Sequence, residues 1–311
     1  MKTQTGLTVA IVQAVHDPEP RANLQNVLSA IARAGQDGAS LVVFPESWLP
    51  GYPAWLDVCP AAGLWDHAPT KAVFRRFFEE SVSVPGPELE QLARAAASAK
   101  ATVVIGAVER VEGGAGHGTL YNVLLTIGAD GTLLNHHRKL MPTFTERLVW
   151  GLGDARGVRT VVAGRMRLGG LICWEHWMPL ARQALHESAE QVHVAAWPQV
   201  KEMNLIASRH YAFEGRCFVL VAGGLMRASA LPPELEPDLR AVAGPDDWVL
   251  RGGSCIVGPD GSLLVEPVYE RECVLYADLD PGRIAEESMG LDVTGHYARP
   301  DCFRLQRLPT E

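Results

Sequence analysis

The 311-residue chain has no basic stripe, no long apolar run and no closely spaced cysteine pair, and each absence removes a class of function. Its formal charge of -8 has the wrong sign for gripping nucleic acid or anionic lipid, so neither is expected as a partner. No stretch approaches the roughly 18 apolar residues that span a bilayer; the longest candidate is Phe218 to Met226. Leu7 to Val15 is interrupted by Gln13 and followed by His16-Asp17-Pro18, without a basic flank or a small-residue cleavage pattern. It reads as a first strand, and a cytoplasmic location is expected. Cysteines at 59, 173, 217, 255, 273 and 302 are too scattered to suggest a disulfide framework. No CxxC occurs, and His186-Glu187 fails the HExxH pattern because Glu190 stands where the second histidine belongs, so no metal site is expected. GxSxG and GxxxxGK[ST] are also missing.

What is present is a balanced folded chain, 47% apolar and 21% charged, with no repeat or low-complexity linker to divide it. A single domain over 1–311 is expected, with 292–311 as an extended tail packed on the body or on a partner subunit. Runs rich in Val, Ile and Leu predict buried strands at Leu7 to Val12, Leu41 to Phe44, Thr102 to Val108, Val123 to Ile127, Leu168 to Cys173, Val192 to Ala196 and Phe218 to Ala222. Helical spacing joins Leu24, Val27, Leu28 and Ile31, and again Leu89, Leu92, Ala93 and Ala96. Ala129-Asp130-Gly131 and Pro259-Asp260-Gly261 each sit between two strand-like runs and predict hairpins. The class is therefore α/β with antiparallel elements. Glu112 to Gly118 and Leu231 to Pro245 read as exposed loops.

Three segments place a reactive side chain where a strand stops. Leu41-Val42-Val43-Phe44-Pro45 delivers Glu46; His136-His137-Arg138 delivers Lys139, with Pro142-Thr143 and Glu146 following; Gly169-Gly170-Leu171-Ile172 delivers Cys173, with Trp174-Glu175-His176 behind it. Taken singly, each has an ordinary structural explanation. Glu46 can be a loop acid or a helix cap, Lys139 a solvated loop cation, and a free cysteine a small core hydrophobe. That last explanation is accepted for Cys59, Cys217, Cys255 and Cys273. Cys173 differs because it lies at the carboxyl end of a strand, the edge where α/β folds build their sites.

Together the segments resemble the nitrilase branch of the carbon-nitrogen hydrolase family: a glutamate after a strand and Phe-Pro, a lysine in Arg138-Lys139-Leu140-Met141-Pro142-Thr143, and a cysteine after a glycine-rich strand. The resemblance runs from about residue 7 to about residue 304, and Cys173-Trp174-Glu175-His176 is what favours nitrilases over the amidase branches. It implies a four-layer α-β-β-α sandwich and a homo-oligomer, a dimer or a larger, spiral assembly. It also implies hydrolysis of an organic nitrile to a carboxylic acid and ammonia with no cofactor. In that scheme Glu46 is the base and Cys173 the nucleophile; Lys139 and the Trp174 amide stabilise charge on nitrogen, and Glu146 is a second, positioning glutamate. Trp197, in Ala195-Ala196-Trp197-Pro198, is expected near the pocket, and His296, in Gly295-His296-Tyr297, is expected to shape the site or an interface. Trp48, Tyr52, Trp55 and Trp65 hint at an apolar pocket. The Ser47 to Trp65 loop, or a polar helix over Lys201 to Arg216, is expected to rim the site or lie at a subunit contact.

Three rival readings remain at this point. An amidase of the same family would use the same four side chains on an oxyanion. A papain-like enzyme would pair Cys173 with a histidine, although its local cysteine signature is absent. A noncatalytic or filament-forming relative would keep the fold without turnover.

Overall fold

The computed structural model describes residues 6–17, 19–306 and 308, without the side chains of residues 20 and 21. Pro18 and the outermost parts of the expected 1–311 domain and 292–311 tail lie outside the described residues. The strands are β1 Leu7–Gln13, β2 Leu41–Val43, β3 Thr102–Arg110, β4 Leu120–Ile127, β5 Leu133–Arg138, β6 Val161–Ala163, β7 Met166–Ile172, β8 Val192–Trp197, β9 Phe218–Gly223, β10 Leu225–Arg227, β11 Trp248–Val257, β12 Leu263–Tyr269 and β13 Cys273–Leu279. The helices are α1 Pro20–Gln36, α2 Trp55–Val58, α3 Ala68–Glu80, α4 Pro87–Ala99, α5 Pro179–His186, α6 Glu202–Gly215 and α7 Pro281–Glu287.

The strands form two sheets. The first runs β13-β1-β2-β3-β4-β5, with β1, β2 and β3 parallel and the others antiparallel. In the second, β10-β11-β9-β8-β7-β6, the strands β7, β8 and β9 are parallel, and β12 adds to β11 as a hairpin. The period-2 alternation of a strand sorts the residues into layers. Val9 and Ile11 of β1 face the second sheet, whereas Ala10 and Val12 turn to Val27 and Ile31 of α1 and Leu92 and Ala96 of α4. On the far side of the second sheet, Ala181 and Leu185 of α5 and Ala207, Tyr211 and Ala212 of α6 complete the packing. The order is helix, sheet, sheet, helix, as the resemblance implied. Its central strands are mostly apolar because both faces of each sheet are covered, with His193 in the middle of β8 as an exception.

Both expected hairpins are present, but β6, β10 and β13 were not anticipated. β6 and β10 have three residues each, too few to show a period, and β13 is a half-exposed edge strand interrupted by Tyr276 and Asp278. Leu231 to Pro245 is not simply an exposed loop, since Leu231, Leu235 and Val242 are buried against Trp55, Phe77 and Trp150. Within 292–306, residues 293–297 and 300–302 form turns, and Leu305 packs on the main core. Among the described residues, no helix is long and apolar enough to cross a membrane.

Candidate active site

The chain brings Glu46, Lys139, Glu146 and Cys173 together between the carboxyl ends of β2, β5 and β7. After β2, Phe44 still donates its N–H to Val104 (2.8 Å), and Pro45 then turns the chain across β3. It passes so close that a Cβ at Gly106 would overlap Pro45 O and Glu46 Cα, so glycine is required there. At the end of β5, the Lys139 N–H bonds Asn122 O (2.8 Å), which sends the side chain inward.

Lys139 is 1% exposed. Its Nζ donates to Glu46 Oε1 (2.9 Å) and Glu146 Oε2 (2.7 Å), and lies 5.8 Å from the centre of the Trp150 ring. Glu146 sits in a tight turn over Phe144–Leu148, where it also accepts the Thr143 N–H (2.7 Å) and the Tyr52 hydroxyl (3.1 Å). It makes no surface pair with Arg147. Asn122 Nδ2 donates to Glu46 Oε1 (2.6 Å), leaving Glu46 Oε2 buried without a protein partner. One carboxylate oxygen from each of Glu46 and Glu146 and the Cys173 sulfur lie within 4.8 Å of one another. A metal ion would find ligands at that spacing, but the positive charge between the two carboxylates is already supplied by the lysine.

Backbone strain marks the same place. Ser47, Phe144 and Cys173 adopt positive φ (49°, 41° and 51°), a region costly for residues with a side chain, and each belongs to one of the three site-bearing segments. Cys173 opens a tight turn over Cys173–Trp177. Glu175 in that turn is buried and receives the N–H groups of Ile172 (2.7 Å) and Leu140 (2.7 Å) and His137 Nε2 (2.9 and 3.0 Å to its two oxygens). It pins the end of β5 in one sheet to the end of β7 in the other, which sets Lys139 against Cys173.

The electrostatics follow from burial. Loss of water pushes the Glu46 carboxyl up to about 7; Lys139 opposes the shift and Glu146 adds to it. Burial alone would depress the Lys139 ammonium, but Glu46, Cys173 and Glu146 hold it well above its ordinary value. Burial and then Glu46 raise the Cys173 thiol, against partial relief from Lys139 and from the Trp174 N–H, which reaches the sulfur. At rest the site therefore holds a thiol beside a carboxylate that titrates close to neutrality.

A 420 Å³ cavity opens on Cys173, lined by Tyr52, Glu146, Trp174, Trp177, Pro198 and Lys201 among others. It adjoins a 610 Å³ apolar cleft that includes Met141, Phe144, Trp174, Trp177 and Met178. The aromatic wall is thus built from Phe144, Trp174 and Trp177. Of the four aromatics expected there, only Tyr52 lines the cavity: Trp48 and Trp55 are core residues, and Trp65 is 98% exposed. Trp197 lies against Trp177 of the cavity wall (ring centres 5.4 Å apart) but does not itself line the cavity. It is fully buried behind the cavity, donates to Ser208 (3.2 Å) and stacks on His176. Within this chain His296 is exposed beside Tyr297 and is not part of the cavity wall. Asn122, His137 and the bridging role of Glu175 were missed, because a polar residue inside a strand or turn has no sequence mark of the partner it will meet.

A double-sheet sandwich with a glutamate, a lysine and a cysteine converging from three strand ends defines a carbon-nitrogen hydrolase. The chain belongs to that family, whose model matches residues 8–287. It is 37% identical over 297 residues to a nitrilase of Bradyrhizobium diazoefficiens, covering 95% of this chain and 90% of the relative. It is 38% identical over 303 residues to an aliphatic nitrilase of Sinorhizobium fredii, covering 97% and 95%. A bifunctional nitrilase/nitrile hydratase of Lupinus angustifolius is 38% identical over 287 residues, covering 91% and 80%. Two solved structures share the fold: a carbon-nitrogen hydrolase of Helicobacter pylori (TM-score 0.69, 16% identity, 92% and 93% covered) and an amidase of Nesterenkonia (TM-score 0.62, 19% identity, 91% and 94% covered).

Proposed function

We propose that this enzyme is a nitrilase that converts a small organic nitrile, uncharged near its reacting carbon, to the carboxylic acid and ammonia. The observation that carries the mechanism is a carboxylate oxygen of Glu46 within 4.8 Å of the Cys173 sulfur, in a carboxylate whose Oε1 is held by Lys139 and Asn122 and whose Oε2 has no protein partner. Glu46 Oε2 takes the thiol proton, and the thiolate attacks the nitrile carbon. One C–N π bond opens, and the charge that develops on nitrogen is met by the Lys139 ammonium and the Trp174 N–H before a proton from Glu46 completes the thioimidate. Water, deprotonated by Glu46, adds to that carbon. Protonation of the amino group expels ammonia and leaves a thioester. A second water, activated in the same way, releases the acid and restores the thiol, so one nitrile and two waters give one acid and one ammonia. Glu146 holds the lysine in place and charged.

If the tetrahedral intermediate expels the thiol instead of ammonia, the product is an amide. The name of the lupin relative includes that second outcome, and the amidase neighbour supports the alternative that amides are the substrates. A panel of aliphatic, aryl and arylacetonitriles, assayed for ammonia, acid and amide with Cys173→Ala and Glu46→Gln in parallel, tests the proposal. Turnover confined to amides, or surviving in Cys173→Ala, would sink it. Retained activity in Glu46→Gln would point to a cysteine–histidine enzyme.

The same reading places the enzyme in the cytoplasm as one catalytic domain that assembles with copies of itself. The exposed Leu180 of α5 and Met203, Ile206 and Phe213 of α6 support a contact on that face. Light scattering that finds only monomer would remove this part of the proposal.

A further inference from the structure

Behind the cysteine lies a buried polar chain that the mechanism leaves unused. His176 Nδ1 is 2.6 Å from Cys173 O, and because a carbonyl only accepts, that nitrogen carries a proton. His176 Nε2 faces His193 Nε2 at 2.9 Å, and His193 Nδ1 faces Glu190 Oε1 at 2.8 Å. The Tyr211 hydroxyl donates to Glu190 Oε2 at 2.5 Å. All four side chains are buried, and Tyr211 stacks on His193 with ring centres 3.7 Å apart. Gly169 of β7 makes room, since a Cβ there would overlap Glu190 Oε1.

Proton bookkeeping fixes the directions. With neutral rings, His176 donates to Cys173 O and accepts from His193, and His193 then accepts from Glu190, which must carry a proton. Burial favours this neutral arrangement: it pushes Glu190 up to about 8 and His176 down to about 3, and it holds His193 well below its usual range. Other ionisable groups face the chain from neighbouring elements. His186 of α5 and Cys217 before β9 act on or respond to Glu190; Glu175 and Arg182 act on His176. Glu214 of α6 bonds His186 (3.3 Å).

If Glu190 loses its proton, one link must fail. His193 can turn its donor toward the carboxylate, but His176 must then supply the donor between the rings, and Nδ1 meets Cys173 O as acceptor against acceptor. Glu190 also lines a 300 Å³ cavity, with His186 from the end of α5 and Glu214 and Arg216 from the end of α6, so the proton has an exit.

We infer that Glu190, His193 and His176 are positioning residues: they clamp the Cys173 carbonyl, and with it the strained left-handed backbone of the nucleophile, only while the chain keeps its shared proton. The inference rests on Cys173 being the nucleophile. Glu190→Gln separates proton from shape, because its amide donates to His193 and its carbonyl accepts from Tyr211, with no proton to lose. In wild type, kcat measured between about pH 6 and about pH 9.5 should fall on the alkaline side near 8. Glu190→Gln should keep kcat within about threefold below that point and lose the fall, while His176→Leu should lower kcat about a hundredfold with little change in KM. An alkaline fall unchanged in Glu190→Gln, its absence from wild type, or full kcat in His176→Leu would overturn the inference. If the leucine variant fails to fold, the two pH profiles decide. If wild type turns over neither nitriles nor amides, the functional reading fails on its own account. The pH dependence of Cys173 alkylation by iodoacetamide in wild type and Glu190→Gln then tests the clamp directly.

Discussion

Replacing Glu175 by glutamine keeps the shape of the side chain but gives it one acceptor oxygen where the structure uses two. One oxygen takes the Leu140 N–H, the other takes the Ile172 N–H, each at 2.7 Å, and His137 Nε2 shares both. The amide nitrogen must therefore face a backbone N–H, donor against donor, in a site closed to water. Loss of one charge-assisted hydrogen bond and burial of one unpaired N–H cost together about 3 to 5 kcal/mol. That is a large share of the roughly 5 to 15 kcal/mol that holds a typical protein folded. Burial tends to raise the Glu175 carboxyl, but His137 and the two backbone donors outweigh it and hold the group below its ordinary value of 4.5. Its stabilising contribution is thus complete above that value and lost as pH falls through the lower folded-state value, so the gap between wild type and variant should narrow in acid. Urea unfolding of both proteins at neutral and acid pH measures this directly. A neutral-pH difference under about 1 kcal/mol would refute the reasoning, because the backbone donors would then have found other acceptors.

Three further outcomes are expected. Because burial lifts Glu46 to about 7 and only its ionised form can take a proton, kcat/KM should rise with pH through about 7; a profile already flat below pH 6 would exclude Glu46 as the base. Lys139→Met strands two buried carboxylates and should cost about 3 to 5 kcal/mol in addition to activity. That deficit should shrink at pH 5, where Glu46 takes a proton, and equal unfolding midpoints for wild type and variant would contradict it. Gly106→Ala should destabilise by about 1 to 3 kcal/mol and depress kcat, since the new methyl group pushes on the backbone of Glu46; unchanged melting and turnover would show that this loop can yield.

The elements legible in the sequence were those whose physics is local. Parallel strands buried on both faces read as largely apolar runs, and Asp-Gly turns announced both hairpins. The site was legible because its three principal side chains each follow a strand end, and the family pattern supplied the fact that those ends meet. What stayed hidden depends on contacts between distant segments. Asn122 is 76 residues from the glutamate it holds, and Glu175 is 38 residues from His137. Trp197 and the Ser47 to Trp65 aromatics carry no mark that separates a pocket wall from a core, and Trp65 turned outward while Trp48 and Trp55 turned in.

Glu46 and Lys139 come from the first sheet and Cys173 from the second, with Glu175 as the rivet between them. Turnover is therefore a gauge of sheet docking rather than of secondary structure. A heated or partly denatured molecule whose sheets have slid apart by a fraction of a side chain would keep its circular dichroism and lose its chemistry. For an enzyme built this way, inactivation should run ahead of unfolding, and the working lifetime is set by the seam between the sheets.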